Sequence, residues 1–278
     1  MKYIEVIGLP GSGKTTAIEQ IKCANKAGQA LSETPIVEAN EALCSAIADL
    51  QPILRHFWGV SSKTKANAPL RPIVRGLQRK YFSAPPARDI EEVDKVFHEA
   101  IRIGQRLFFS EIDCRSAREI YTLPQTINAQ YLIYRLVQSH LKQSQNTSAE
   151  KLVLFDQFLH HNIVRACAVR QPLKEDVGRT IKAYLRKIPR PAGLFFLRGS
   201  TKLIVERLRE RKKTAVQHEG FDVEELYSWT SNAQPLIDSI YTVAKQEGYA
   251  YRVVDFDGKC PEYIRSELQA FLKDLSHS

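Results

Sequence analysis

Two periods of apolar residues alternate along this chain and predict its elements before any motif is considered. An uninterrupted apolar run marks a strand buried on both faces, and a return every three or four residues marks an amphipathic helix. Tyr3, Ile4, Val6 and Ile7 make the first run. Ala17, Ile18, Ile21 and Ala24 then recur at helical spacing, which predicts a helix from Lys14 to about Ala27 ending near Gly28. Pro35, Ile36 and Val37 read as a short strand ending at Glu38, with a helix through Leu50 behind it.

Between Gln51 and Arg88 the periodicity fails. Pro52, Pro69, Pro72, Pro85 and Pro86 punctuate a stretch that mixes basic residues such as Arg55, Lys63, Arg75 and Lys80 with Phe57, Trp58, Tyr81 and Phe82. That is the composition of an inserted cap or of a solvated charged surface. Asp89, with Glu92 three residues on, caps a helix carrying Ile90, Val93, Phe97 and Ile101, and a second helix after Pro124 carries Ile127, Tyr131, Tyr134, Val137 and Leu141.

Leu152 to Phe155 is again a buried-strand run; it ends in Asp156, with His160 and His161 beyond it as loop or helix residues. A helix over about Lys174 to Lys187 leads to a strand, Leu194 to Leu197, ending at Arg198. Then come a helix from Thr201 to Lys213, a polar segment from Thr214 to Gly220, and a long helix from Val223 to about Gln246. The strand Tyr251 to Phe256 and a final helix from Pro261 to Leu275 close the series. Strands alternating with helices predict an α/β fold, a mostly parallel five-stranded sheet with helices on both faces.

Composition narrows the class. With 278 residues and 44% hydrophobic content the chain can bury a real core. Lys+Arg 40 against Asp+Glu 31 leaves a net charge of +9, which suits anionic partners: nucleotides, nucleic acid or an anionic membrane surface. Cys23, Cys44, Cys114, Cys167 and Cys260 form neither a CxxC pair nor a ligand-spaced set with histidine, so they read as ordinary buried thiols of a reducing compartment. The start of the chain has no leader pattern and no apolar run is long enough to span a membrane, so a cytoplasmic protein is expected.

Gly8 to Thr15, GLPGSGKT, carries the strongest chemistry. It fits GxxxxGK[ST], and it follows a strand pattern and opens a helix pattern, the context of a phosphate-binding loop. Gly8, Gly11 and Gly13 allow backbone conformations closed to residues with a β-carbon, so that successive N–H groups can surround phosphate oxygens, helped by the dipole at the helix start. Pro10, Ser12 and Thr16 belong to the same phosphate-binding set. Lys14 is expected to reach the β- and γ-phosphates, and Thr15 to ligate Mg²⁺. Asp156, at the end of a strand expected beside the first, can reach the same Mg²⁺, take a proton from an acceptor, or only cap a helix. Arg207 and Arg211, four apart, are expected on one helix face, where cations also suit the helix dipole.

Taken in order, GLPGSGKT, LVLFDQF (Leu152 to Phe158) and FLRGSTKLIVERLRERKK (Phe196 to Lys213) resemble the thymidylate kinase and deoxynucleoside kinase group of phosphate-loop kinases. The resemblance implies a three-layer α/β/α phosphate-loop fold, with 1–278 as a single domain. Residues 51–125 would be a helical, basic insertion on the acceptor side, and residues 207–220 a lid. It implies ATP and Mg²⁺ as cofactors, Arg207 near the adenine, Arg211 clamping the transferring phosphate, Asp156 as the acid of the family's Asp-Arg or Glu-Arg-Ser motif, and Glu38 as an acid near a sugar hydroxyl. Gln157 stands where the family keeps an arginine that holds an acceptor phosphate, which leaves an uncharged hydroxyl acceptor open.

The expected activity is therefore ATP-dependent phosphoryl transfer to a small molecule: a nucleoside or nucleotide, or else another hydroxyl metabolite such as a sugar. An NTP-hydrolysing switch or mechanical ATPase is the competing class, but the chain has no Asn-Lys-x-Asp motif, and Gln157, not glutamate, follows Asp156. Nucleic acid is not an expected partner, since no compact nucleic-acid module accompanies the basic stretch. A homodimer is compatible with the sequence.

Overall fold

The computed structural model describes residues 2–26, 36–38, 134, 152–161, 164, 177–211 and 221–276. Among these, β1 (Lys2–Ile7), β2 (Ile36–Glu38), β3 (Leu152–Asp156), β4 (Gly193–Arg198) and β5 (Tyr251–Asp255) form one sheet in the order β2-β3-β1-β4-β5. Each neighbouring pair is parallel. The helices are α1 (Lys14–Lys26), α2 (Val177–Leu185), α3 (Thr201–Glu210), α4 (Val223–Gln246) and α5 (Pro261–Ser276).

Helices cover both faces, which is why the central strands are apolar throughout and do not alternate. Tyr3 to Ile7 of β1, Leu152 to Phe155 of β3 and Gly193 to Leu197 of β4 are all buried. Consecutive strand residues point to opposite faces. Phe195 accordingly packs its ring against Phe271 of α5, while Phe196 meets Tyr241 of α4. The result is the three-layer α/β/α arrangement with the glycine-rich loop after the central strand, a phosphate-loop NTPase fold. Residues on the α4 side include an aromatic cluster in which Phe155 and Phe158 stack with centroids 3.9 Å apart and Tyr3 abuts both edge-on. Fully burying one such side chain contributes about 1.5–3 kcal/mol.

Helix boundaries follow their caps. Asp222 accepts from the Glu225 N–H and the Glu225 carboxylate accepts from the Asp222 N–H, a reciprocal box that starts α4 where the pattern predicts. α4 continues through Pro235 because its buried stripe, from Leu226 and Trp229 to Val243 and Ala244, holds it to the core on both sides of the proline.

Three expectations change. α2 stops at Leu185, short of Lys187, ahead of Pro189 and Pro191. α3 stops at Glu210, and Arg211 is already extended (φ −68, ψ 128), so Arg207 and Arg211 do not share a helix face. No apolar residue follows Leu208 before Ala215, and the basic run Arg207 to Lys213 repels itself at helical spacing, so nothing pins a further turn. Cys23 and Cys260 are exposed, not buried. Cys23 falls off the apolar stripe of α1, and Cys260 lies in the turn before α5.

Tyr134 is helical as expected and stacks beside Phe158. The helix expected through Leu50, the insertion over residues 51–125, the remainder of the helix around Tyr134, and the lid beyond Arg211 lie outside the described residues. Among the described residues no helix is long and apolar enough to cross a membrane.

Candidate functional site

The loop joining β1 to α1 has the backbone its spelling demands. Gly11 (φ 93) and Gly13 (φ 88) lie in the left-handed region that favours glycine. Gly8 is needed for a different reason. A β-carbon there would come within 2.7 Å of Ser12 Oγ and 2.9 Å of the Leu197 carbonyl oxygen, so Gly8 lets the loop lie against β4. Pro10 and Ser12 are buried within the loop, and the Ser12 N–H donates to the Leu9 carbonyl at 3.1 Å. Thr16 is exposed in the first turn of α1, a turn without acidic residues to compete with a bound anion.

Lys14 is buried and folded back onto its own loop. Its Nζ donates to the Gly8 carbonyl at 2.6 Å, the Leu9 carbonyl at 2.8 Å and Ser12 Oγ at 3.2 Å. Loss of solvent lowers its pKa to about 8, the Arg211 charge pushes the same way, and Asp156 opposes both. An arriving polyanion would favour the charged form of this ammonium group and offset the cost of its burial.

Asp156 reaches the loop because β1 and β3 are parallel neighbours in a register that sets it opposite Val6, two residues before Gly8. Thr15 Oγ1 donates to Asp156 Oδ2 at 2.7 Å. The other carboxylate oxygen, Oδ1, is buried and has no hydrogen-bond partner among the described residues. A hydroxyl and a carboxylate with an unused oxygen, at the mouth of a phosphate loop, are a donor set suited to a hard divalent cation such as Mg²⁺.

The two arginines reach the loop by different routes. Arg207 Nη1 approaches the Gly11 carbonyl at 3.4 Å, and its guanidinium lies 5.0 Å above the Phe256 ring. Arg211 is exposed just past α3, close enough for its charge to act on Lys14. Asp257, next to Phe256, accepts from the Ser200 N–H through both oxygens, at 2.9 and 3.0 Å, tying the start of α3 to the turn after β5. Glu38 ends β2 opposite Leu154 of β3, at the same edge of the sheet as Asp156.

Three residues at this edge escape pattern reading. Glu5, in the middle of β1, is fully buried, as are His160 and His161 after β3. Glu5 accepts from the backbone N–H groups of Phe158 (2.8 Å), His160 (2.9 Å) and His161 (2.7 Å), and His160 Nδ1 lies 2.9 Å from the same carboxyl group. The signal was a lone acid inside an apolar strand. Gln157 is left-handed (φ 55), costly for a residue with a β-carbon, and its N–H donates to the Val6 carbonyl at 3.3 Å.

No family model matches the chain, and no curated protein matches it in sequence. Among solved structures, the chain is similar to deoxyadenosine kinase from M. mycoides with bound dATP, at 15% identity over 97% of this chain and 98% of that one, with a TM-score of 0.42. The structure of the M. mycoides enzyme with bound dCTP gives 13% identity over 97% and 98%, with a TM-score of 0.44.

Proposed function

We propose that this chain is an ATP-dependent phosphotransferase that moves the γ-phosphoryl group of MgATP to a small acceptor, a nucleoside or nucleotide in the first instance. The observation that carries the reading is the meeting of Lys14, Thr15 and Asp156: a glycine-rich loop, its lysine and hydroxyl, and a strand-end carboxylate converge at the carboxyl edge of a parallel sheet.

In this reading Lys14 leaves the Gly8 and Leu9 carbonyls for the β- and γ-phosphate oxygens. Thr15 and Asp156 would hold Mg²⁺, and the ion would supply neutralisation of charge on the phosphates. Arg207, already against Gly11 and Phe256, lines the nucleotide side, and Arg211 swings onto the transferring group. Asp156 or Glu38 accepts the proton of the acceptor hydroxyl. In this reading the chain acts as one domain. Neutral Gln157 suits an uncharged acceptor hydroxyl, so a nucleoside or a sugar fits at least as well as a monophosphate.

The test is ATP consumption with Mg²⁺ against nucleosides, nucleoside monophosphates and free sugars, with Lys14→Ala as the blank. Stimulation by one acceptor class, absent in the variant, is the expected result. A flat, acceptor-independent rate would move the assignment to an NTP-hydrolysing switch or ATPase.

A further inference from the structure

Burying a carboxyl group in the middle of a sheet is unfavourable unless protein donors replace the lost water. An aliphatic residue would pack at Glu5 without that requirement. Glu5 satisfies it with four donors drawn from one turn: the N–H groups of Phe158, His160 and His161, and the ring nitrogen Nδ1 of His160. That turn begins at Asp156.

The chain leaving β3 is consequently tied at each step. Thr15 holds the Asp156 side chain, Val6 takes the Gln157 N–H, and Glu5 takes the Phe158 N–H. Gln157, between the last two bonds, is held in the left-handed conformation that aims the chain back over the sheet. α2 holds the same turn from outside, where Tyr184 donates its hydroxyl to the Leu159 carbonyl at 2.9 Å. The His160 ring meets the edge of Tyr249 at 5.8 Å.

We propose that Glu5, with His160 supplying its fourth donor, is a positioning residue that sets the direction of the Asp156 carboxylate by fixing the turn behind it. The proposal rests on the reading of Asp156 as a Mg²⁺ ligand. Neither Glu5 nor His160 touches the nucleotide in this scheme; they act through Asp156, as outer partners orient the ligands of a metal.

The experiment measures ATP affinity twice, in EDTA and in saturating Mg²⁺, for the wild type and for Glu5→Gln, which keeps the size of the side chain but points an NH₂ group at backbone donors. The Mg²⁺-free affinity should stay within about twofold of wild type, while the gain produced by Mg²⁺ shrinks about 10- to 100-fold. Amide exchange at residues 158–161 should accelerate. His160→Asn, which leaves the three backbone donors in place, should move the gain in the same direction by less, and it decides the question if Glu5→Gln does not fold. An unchanged gain, or an equal loss of affinity with and without Mg²⁺, overturns the proposal. A wild type without any Mg²⁺-dependent gain instead overturns the reading of Asp156 on which it rests.

Discussion

Thr15 Oγ1 donates to Asp156 Oδ2 across 2.7 Å, joining two residues 141 positions apart in the chain. The bond leaves Oδ1 of the same carboxylate buried without a partner among the described residues, so one oxygen is committed to the loop and the other is available. Asp156→Asn keeps an oxygen for Thr15 but removes the charge. It should lower acceptor-dependent turnover by about 10²-fold or more while the protein still folds. Wild-type turnover in a single-turnover assay of this variant would remove Asp156 from the site.

Lys14 sets a pH dependence whose sign can be worked out. Its pKa is lowered to about 8 from 10.5, chiefly by burial. Between those values the unfolded chain binds more protons than the folded one, so the contribution of Lys14 to stability rises with pH across that window and is at its least favourable below about pH 8. A polyphosphate favours the charged form, so ATP binding above about pH 8 should take up protons and weaken as pH rises. Calorimetry at about pH 8.5 in buffers of different ionisation enthalpy measures this, and Lys14→Met should abolish the uptake. Binding with no proton uptake in the wild type would refute the assignment.

Gly8 and Gly178 should respond oppositely to alanine. At Gly8 the added β-carbon meets Ser12 Oγ at 2.7 Å and the backbone oxygen of Leu197 at 2.9 Å, and the backbone cannot give way cheaply. Gly8→Ala should destabilise by about 1–3 kcal/mol and weaken ATP binding. Gly178 is exposed in α2 with nothing within 4 Å, so Gly178→Ala should stabilise by about 0.5 kcal/mol. Thermal melts of the pair settle both, and equal melting temperatures would contradict the packing described for the loop.

Arg211 and Arg207 should separate in kinetics. Arg211→Ala is expected to reduce kcat by about 10³-fold with ATP binding retained, as for an arginine that stabilises transferring charge. Arg207→Ala should raise the KM for ATP, because that guanidinium already lies on the loop and on Phe256. Arg209, exposed on α3, is the control and should tolerate alanine. Identical profiles for all three variants would reduce the run to a solvated basic face.

Local pattern determined much of this protein. The order of strands and helices, the starts of α3, α4 and α5, and the loop with Lys14 and Thr15 all follow from spacings of two to four residues and from backbone freedom at Gly11 and Gly13, which are properties of neighbouring positions. β3 beside β1 is expected from the sequence as well; only the tertiary structure supplied the register that sets Asp156 opposite Val6 and the bond by which Asp156 meets Thr15. The tertiary structure also showed that Gly8 answers to Leu197, that Arg211 leaves its helix, and that Glu5 gathers the turn after β3. The contacts of Gly8 and Glu5 join residues far apart in the chain. A contact of that kind has no period, so a buried acid in an apolar strand looks like an interruption until the donors that surround it are in place.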